Sequence, residues 1–250
     1  MEILLLSVAA FVAGFVDAVA GGGGVVTFPV FLFLNLPVSQ IVGTNKFVST
    51  AGTLIATLTF FKKGKISPEI LRLALPFSVA GALLGAVTVL LLPNEFLKPV
   101  VSVLIIGVAL YCYIRPNLGA QHSYTGLTPR SSRLVCAAAF ALAAYDGFFG
   151  PGTGIFLTFF FINVLKFDFV RAAGNTKALN LISNVVPLLY FLTQGTVRFD
   201  LAIPMALANI VGGYCGAHAA IRKGNSFVKW IYVTMALLTA GKLILDACLH

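Results

Sequence analysis

The chain has 250 residues, of which 59% are hydrophobic and only 10% charged, with 17 Lys and Arg against 8 Asp and Glu; a soluble domain carries roughly 25% charged residues. Mean hydropathy is +0.98. So few charges cannot clothe a soluble globule, and so apolar a chain is neither disordered nor a coiled coil.

Taken in chain order, the first element is a long apolar stretch over residues 3–36, interrupted by Gly21-Gly22-Gly23-Gly24. Its opening, Met-Glu-Ile-Leu-Leu-Leu, lacks a basic region and a small-residue cleavage site and reads as a membrane segment, not a signal peptide. Helices follow near 40–61, 68–92 and 96–114. Residues 115–133 form a polar linker containing Arg115, His122, Arg130 and Arg133. A second interrupted stretch covers 134–165, and helices then fall near 171–193, 200–221 and 226–248. Residues 18–45, 73–94, 178–197 and 201–221 hold no Asp, Glu, Lys or Arg. About 20 apolar residues cross the hydrocarbon core as a helix, whereas barrel strands are short and alternate polar with apolar.

The chain repeats itself. Asp17, Gly21 and Gly23 align with Asp146, Gly150 and Gly152 at an offset of 129. Gly43-Thr44-Asn45-Lys46 aligns with Gly174-Asn175-Thr176-Lys177 at an offset of 131, as do Gly64 with Gly195 and Asn94–Lys98 with Asn225–Lys229. Loop charge adds an orientation. Lys62-Lys63-Gly64-Lys65 is basic and Pro93–Lys98 is neutral, whereas their counterparts Gln194–Asp200 and Arg222–Lys229 are neutral and basic in turn. Equivalent loops therefore swap sides, with the basic linker inside and both termini outside. The expected fold is all-α, a polytopic helical membrane protein of two inverted repeats. Each repeat has a Gly-broken hairpin or re-entrant element plus three transmembrane helices. The N-terminal repeat covers 1–114, the linker 115–133 and the C-terminal repeat 134–250. Inverted repeats with broken helices and a site at their interface are a transporter architecture.

Four successive glycines disfavour a helix interior by about 1 kcal/mol each relative to Ala. The chain freed by such a break belongs inside protein or beside a water-filled cavity. A helix restarting near Val25, or at Ile155 after Gly150-Pro151-Gly152-Thr153-Gly154, points its N-terminal N–H groups at the break and favours an anion there. Close helix packing or a plain turn is the structural alternative. Gly81/Gly85 and Gly212/Gly216 have small-xxx-small spacing and read as helix contacts. No Gly-Lys-Ser/Thr follows either patch, so neither is a nucleotide-binding loop.

Asp17, Lys46, Asp146 and Lys177 are charges within apolar segments, where insertion costs at least about 2.5–3.5 kcal/mol and a cavity or a partner is expected. The lysines supply positive charge to an anion site, snorkel to an interface, or neutralise Asp17 and Asp146. Asn180 and Asn184 share a helix face with Lys177, and Ser49, Thr50 and Thr53 play the comparable part after Lys46. The aspartates are candidates for proton coupling, or cap the broken helices. The candidate binding set is Gly21, Gly22, Gly23, Gly24, Thr44, Asn45, Lys46, Gly150, Gly152, Thr153, Gly154, Asn175, Lys177, Asn180 and Asn184, with Asp17 and Asp146 for the coupling ion.

The remaining motifs are quieter. The cysteines at 112, 136, 215 and 248 have no CxxC spacing, and neither a metal nor any cofactor is expected. Tyr111, Tyr113, Trp230 and Tyr232 read as an interfacial aromatic belt. Phe156 and Phe159–Phe161 read as packing or lipid-facing residues. His218 packs or faces a headgroup, and His122 and His250 lie in polar or terminal segments. The basic excess reflects cytoplasmic loops, so the bilayer is the expected partner and nucleic acid is not.

Gly14-Phe-Val-Asp17-Ala-Val-Ala-Gly21-Gly22-Gly23-Gly24, Pro29 and Thr44-Asn45-Lys46 together resemble the TauE/SafE family, also called the sulfite exporter or toluene-sulfonate uptake permease (TSUP) family. Asp146-Gly-Phe-Phe-Gly150-Pro151-Gly152-Thr153-Gly154 and Asn175-Thr176-Lys177 extend the likeness to the second half, although the second patch departs from an all-glycine run. The resemblance implies a multi-pass transporter of the cell inner membrane for sulfite, sulfonates or related organosulfur anions. An anion channel is the alternative. An intramembrane enzyme ranks below it, because the chain has no HExxH, no GxSxG and no carboxylate pair close in sequence.

Overall fold

The computed structural model describes residues 2–32, 34, 36–88, 119, 121–148 and 150–248, and among these all regular structure is helical. The protein is an all-α membrane protein. Helix α1 (Glu2–Ala20) leads through Gly21 and Gly22 into α2 (Gly23–Leu32). Two further helices of the first half follow, α3 (Val38–Lys62) and α4 (Pro68–Thr88). The second half opens with α5 (Pro129–Phe148), then α6 (Thr153–Asn163) and α7 (Phe169–Thr193). Last comes α8 (Phe199–Cys248), interrupted at Gly224 by φ 76° and ψ −165°. The loop expected at 93–98, the helix expected at 96–114 and most of the linker before Gln121 lie outside the described residues, as do Tyr111, Cys112, Tyr113 and His250.

Both interrupted stretches break where glycine is needed. Gly21 has φ +79° and Gly150 φ +87°, a left-handed backbone that L side chains resist. The second break takes a further left-handed residue, Gly152 at φ +87°, before α6 begins. The ends of α3 and α7 also match. Gly64 (φ +64°) and Gly195 (φ +63°) donate to the Phe61 and Leu192 carbonyls, and the next residues, Lys65 and Thr196, donate to those of Phe60 and Phe191. This is the 6→1, 5→2 pairing of a Schellman end. At the other end of α7, the Asp168 carboxylate caps the helix by accepting from the Arg171 N–H at 2.8 Å.

Packing follows the small residues. A Cβ on Gly81 or Gly85 of α4 would collide with the Phe140 or Ala144 carbonyl of α5. A Cβ on Gly212 or Gly216 of α8 would collide with the Phe11 or Phe15 carbonyl of α1. The expected helix contacts are therefore present, and they are reciprocal: the fourth helix of each half lies against the first helix of the other. Large apolar side chains line the outside, among them Leu4, Leu84, Leu207, Trp230 and Leu238, while lysine and asparagine side chains are buried. Such an inversion suits a lipid surround and inverts the usual rule for water.

Tyr232 departs from the expected aromatic belt. It is fully buried, and its hydroxyl donates to the Ile155 carbonyl at 2.8 Å. Residue 232 comes at the end of a predicted span, but its helix turns that side chain against α6 instead of outward. The described part of the linker is tied down. Ser123 N–H donates to the Lys166 carbonyl at 2.9 Å, and Tyr124 donates to Glu69 Oε2 at 3.3 Å. Burial, then the nearby Arg171 charge, holds the His122 imidazole below its ordinary pKa. Within the polar stretch α5 already begins, with Thr128 and Ser131 exchanging side-chain caps around Pro129.

The glycine contacts make a direct prediction. Gly85→Ala forces α4 away from the Ala144 carbonyl and should destabilise the fold by about 1–3 kcal/mol, as overpacking does. Gly241→Ala, where no atom of the described residues lies within 4 Å of the new methyl, should be neutral or slightly stabilising. Thermal unfolding of both variants in detergent measures the difference.

Candidate functional site

The two breaks meet. A Cβ on Gly21 would lie 2.5 Å from Gly154 Cα, and one on Gly154 would strike Gly21 in return. Backbone touches backbone there, with room for no side chain. Beside this crossing is a cavity walled by both halves. Asp17, Gly21, Gly24, Asn45, Lys46 and Ser49 line it from the first half, with Val42. The second half contributes Asp146, Gly147, Phe148, Gly150, Gly152, Thr153 and Gly154, together with Asn180 and Asn184 of α7. The first-turn N–H groups of a helix have no partner within it, and the first turns of α2 and α6 form part of this wall.

Two short threonine links fix the broken segments. Thr27 of α2 donates to Asn45 Oδ1 at 2.8 Å, and Thr158 of α6 shares a hydrogen bond of 3.0 Å with Thr176. The two threonines are themselves 131 residues apart, so the repeat offset alone contained the signal, although sequence reasoning passed over them. Each link joins a half-helix to the residue just before a buried lysine.

Those lysines reach across the molecule. Lys46 Nζ lies 3.3 Å from Asp146 Oδ2, and Lys177 Nζ lies 2.8 Å from Asp17 Oδ2. Each pairs with the aspartate of the opposite half. Lys46 also donates to the Ser183 carbonyl and to Asn184 Oδ1, both at 3.1 Å. Asp146 accepts from Thr153 Oγ1 at 3.2 Å and from the Ser183 hydroxyl. Asp17 accepts from the Gly23 N–H at 3.4 Å, bridging the first break.

Five candidate residues lie off the cavity wall. Gly22 sits against Met235, and Gly23 fits under Asp17, whose Cβ would be 2.7 Å from a methyl there. Lys177 is sealed behind Asp17. Thr44 Oγ1 accepts from the Arg198 N–H at 3.1 Å, and Asn175 Oδ1 accepts from the Ser67 N–H at 3.0 Å. Both anchor the loop that starts the other half's fourth helix. Conversely, Ser183 and Asn209 were not among the candidates. Asn209 fills the space over Gly14 and Gly52 and donates to the Ala10 carbonyl at 2.7 Å. Among the described residues no cluster of three or more His, Cys, Asp and Glu is arranged to hold a metal.

The chain matches the family described as Sulfite exporter TauE/SafE over residues 6–243. It is 37% identical over 242 residues to a Sinorhizobium protein named "Probable membrane transporter protein ORF9", covering 96% of this chain and 92% of that one. A Haemophilus influenzae "Probable membrane transporter protein" is 30% identical, with 94% and 92% covered. The Escherichia coli K12 protein named "Probable membrane transporter protein YfcA" is 29% identical, with 98% and 91% covered. No solved structure matches the chain. Match and geometry agree: the chain belongs to the sulfite exporter TauE/SafE family and is a membrane transporter.

Proposed function

We propose that this transporter moves a small oxyanion, sulfite or a short organosulfonate, across the inner membrane by a secondary mechanism, and that the cavity between the helix breaks is its binding site. One observation carries the reading: Lys46 lines the cavity together with the first turns of α2 and α6. A cation and two helix N-termini around one hollow attract negative charge. Asn180 adds an unspent polar group, since its Oδ1 is buried without a hydrogen-bond partner among the described residues. Its amide can turn to present either oxygen or NH2 to a ligand.

Size supports a small ligand. The cavity offers about 50 Å³ to the centres of water-sized atoms, and one water needs roughly 10–15 Å³ on that measure. A ligand of a few heavy atoms fits, while an aromatic sulfonate requires the site to open. The description of the family contributes sulfite as the anion to test first.

The reciprocal contacts support a carrier built from two oppositely oriented halves. Lysine to aspartate, fourth helix to first helix and loop anchor to loop are each exchanged between the halves, as a twofold relation demands. Combined with the reversal of loop charge, this favours an inverted repeat that exposes one site to either side in turn.

Full-length protein in liposomes should carry sulfite, and Lys46→Ala should cut the flux by about tenfold or more, the worth of a lost charged hydrogen bond. Lys63→Ala, at an exposed loop, should leave it unchanged. Equal flux from the Lys46 variant and the unaltered protein would remove the cavity from the transport path. In the same vesicles methanesulfonate should compete with sulfite, and benzenesulfonate should compete poorly; equal competition would contradict the size argument.

A further inference from the structure

The charges at the site cancel. Two lysines face two aspartates, and both pairs are closed. Among the described residues an incoming anion thus meets no unpaired positive charge. Lys46 spends N–H donors on the Ser183 carbonyl and Asn184 Oδ1, and its ammonium is ion-paired with Asp146 at 3.3 Å. A ligand drawn to this lysine competes with the carboxylate, and an ionised Asp146 left beside the anion repels it in a poorly hydrated wall.

A proton on Asp146 removes both obstacles. It cancels the repelling charge and leaves the lysine's net charge to the ligand. The site is built to hold the neutral carboxyl as well, because the Thr153 and Ser183 hydroxyls that touch it donate or accept with equal ease. The surroundings otherwise contribute little charge. From α3 comes Lys46; from α1 comes Asp17, already matched by Lys177. Helix α7 offers neutral Ser183, Asn180 and Asn184, and α6 offers Thr153. Helix α4, packed along α5, has no ionisable residue between 73 and 88. Tyr145, on the same helix as Asp146, donates its hydroxyl to the Pro151 carbonyl.

The other ion pair is built differently. Lys177 is 1% exposed and off the cavity wall, and its 2.8 Å partner Asp17 also clasps the Gly23 N–H across the break. This pair is a strut. Resting on the reading of the cavity as an anion site, we infer that a singly charged anion binds together with one proton carried by Asp146, while Lys177–Asp17 stays closed. A monoanion then crosses without net charge movement.

Methanesulfonate, ionised throughout the range, is the probe, bound to the purified full-length protein in detergent and followed by calorimetry in buffers of different ionisation enthalpy. Near neutral pH about one proton should be taken up per anion. Affinity should fall as pH rises, by at most about tenfold per pH unit, because the bound form holds the extra proton. Asp146→Asn should bind with an affinity that no longer depends on pH. Asp200→Asn, an exposed carboxylate at the start of α8, should keep the slope. Saturable binding with no proton uptake and no pH dependence overturns this inference and leaves the anion site standing. No saturable binding of methanesulfonate or sulfite at any pH overturns both. If Asp146→Asn fails to fold, the proton count on the unaltered protein decides alone.

Discussion

Lys46 and Lys177 each find their counter-charge in the opposite half of the chain, at 3.3 Å and 2.8 Å, and this crossing constrains the docking of the halves. A buried ion pair adds little net stability, because the desolvation of both charges offsets their attraction. Stranding one charge is another matter and costs about 3–5 kcal/mol. A docking of the halves that misaligned one lysine would misalign the other, and would strand four charges within apolar surroundings. The pairs therefore act mainly against wrong arrangements. What they select is the one arrangement in which both breaks come together.

The glycines then decide how close that approach is. Gly21 and Gly154 meet backbone to backbone, and Gly81, Gly85, Gly212 and Gly216 let α4 and α8 lie against the neighbouring carbonyls. A break alone would leave the half-helices loose, since α2 and α6 are only 10 and 11 residues long. The Thr27–Asn45 and Thr158–Thr176 links hold them to α3 and α7. Because Asn45 and Thr176 immediately precede the lysines, each half-helix N-terminus and each ammonium are positioned by the same short stretch of chain. Helix dipole and point charge thus keep a fixed relation to one hollow.

Much of this was legible in the residues because it depends on local chemistry. Runs without charge can only be buried in lipid or protein, glycine clusters interrupt helices, and a small-xxx-small spacing invites a neighbour. The repeat offset located both breaks and both lysines before any coordinates. Pairing was not legible. Lys46 could equally have paired within its own half, and nothing in the spacing says that it reaches residue 146. Thr44 and Asn175 look like cavity residues because they adjoin the lysines, yet a helix turns successive side chains by about 100°, and theirs point to the backbone of the opposite half. Tyr232 misled for a related reason: position along a span says how deep a residue lies, not which face of the helix bears it.

The repeat also shows where symmetry was given up. At the position of Thr153 the first half has Gly24, and at the position of Ser183 it has Gly52, whose missing side chain is replaced by Asn209 packed from α8. Asp146 consequently has two hydroxyls beside it where Asp17 has a single backbone N–H. The lysines diverge in the same sense, one lining the cavity and the other sealed. These two residue differences distinguish a carboxylate that accepts from backbone from one surrounded by groups that tolerate either charge state. Duplicated scaffolding supplies the geometry, and the departures from it fall at the carboxylate where a change of charge has the most effect.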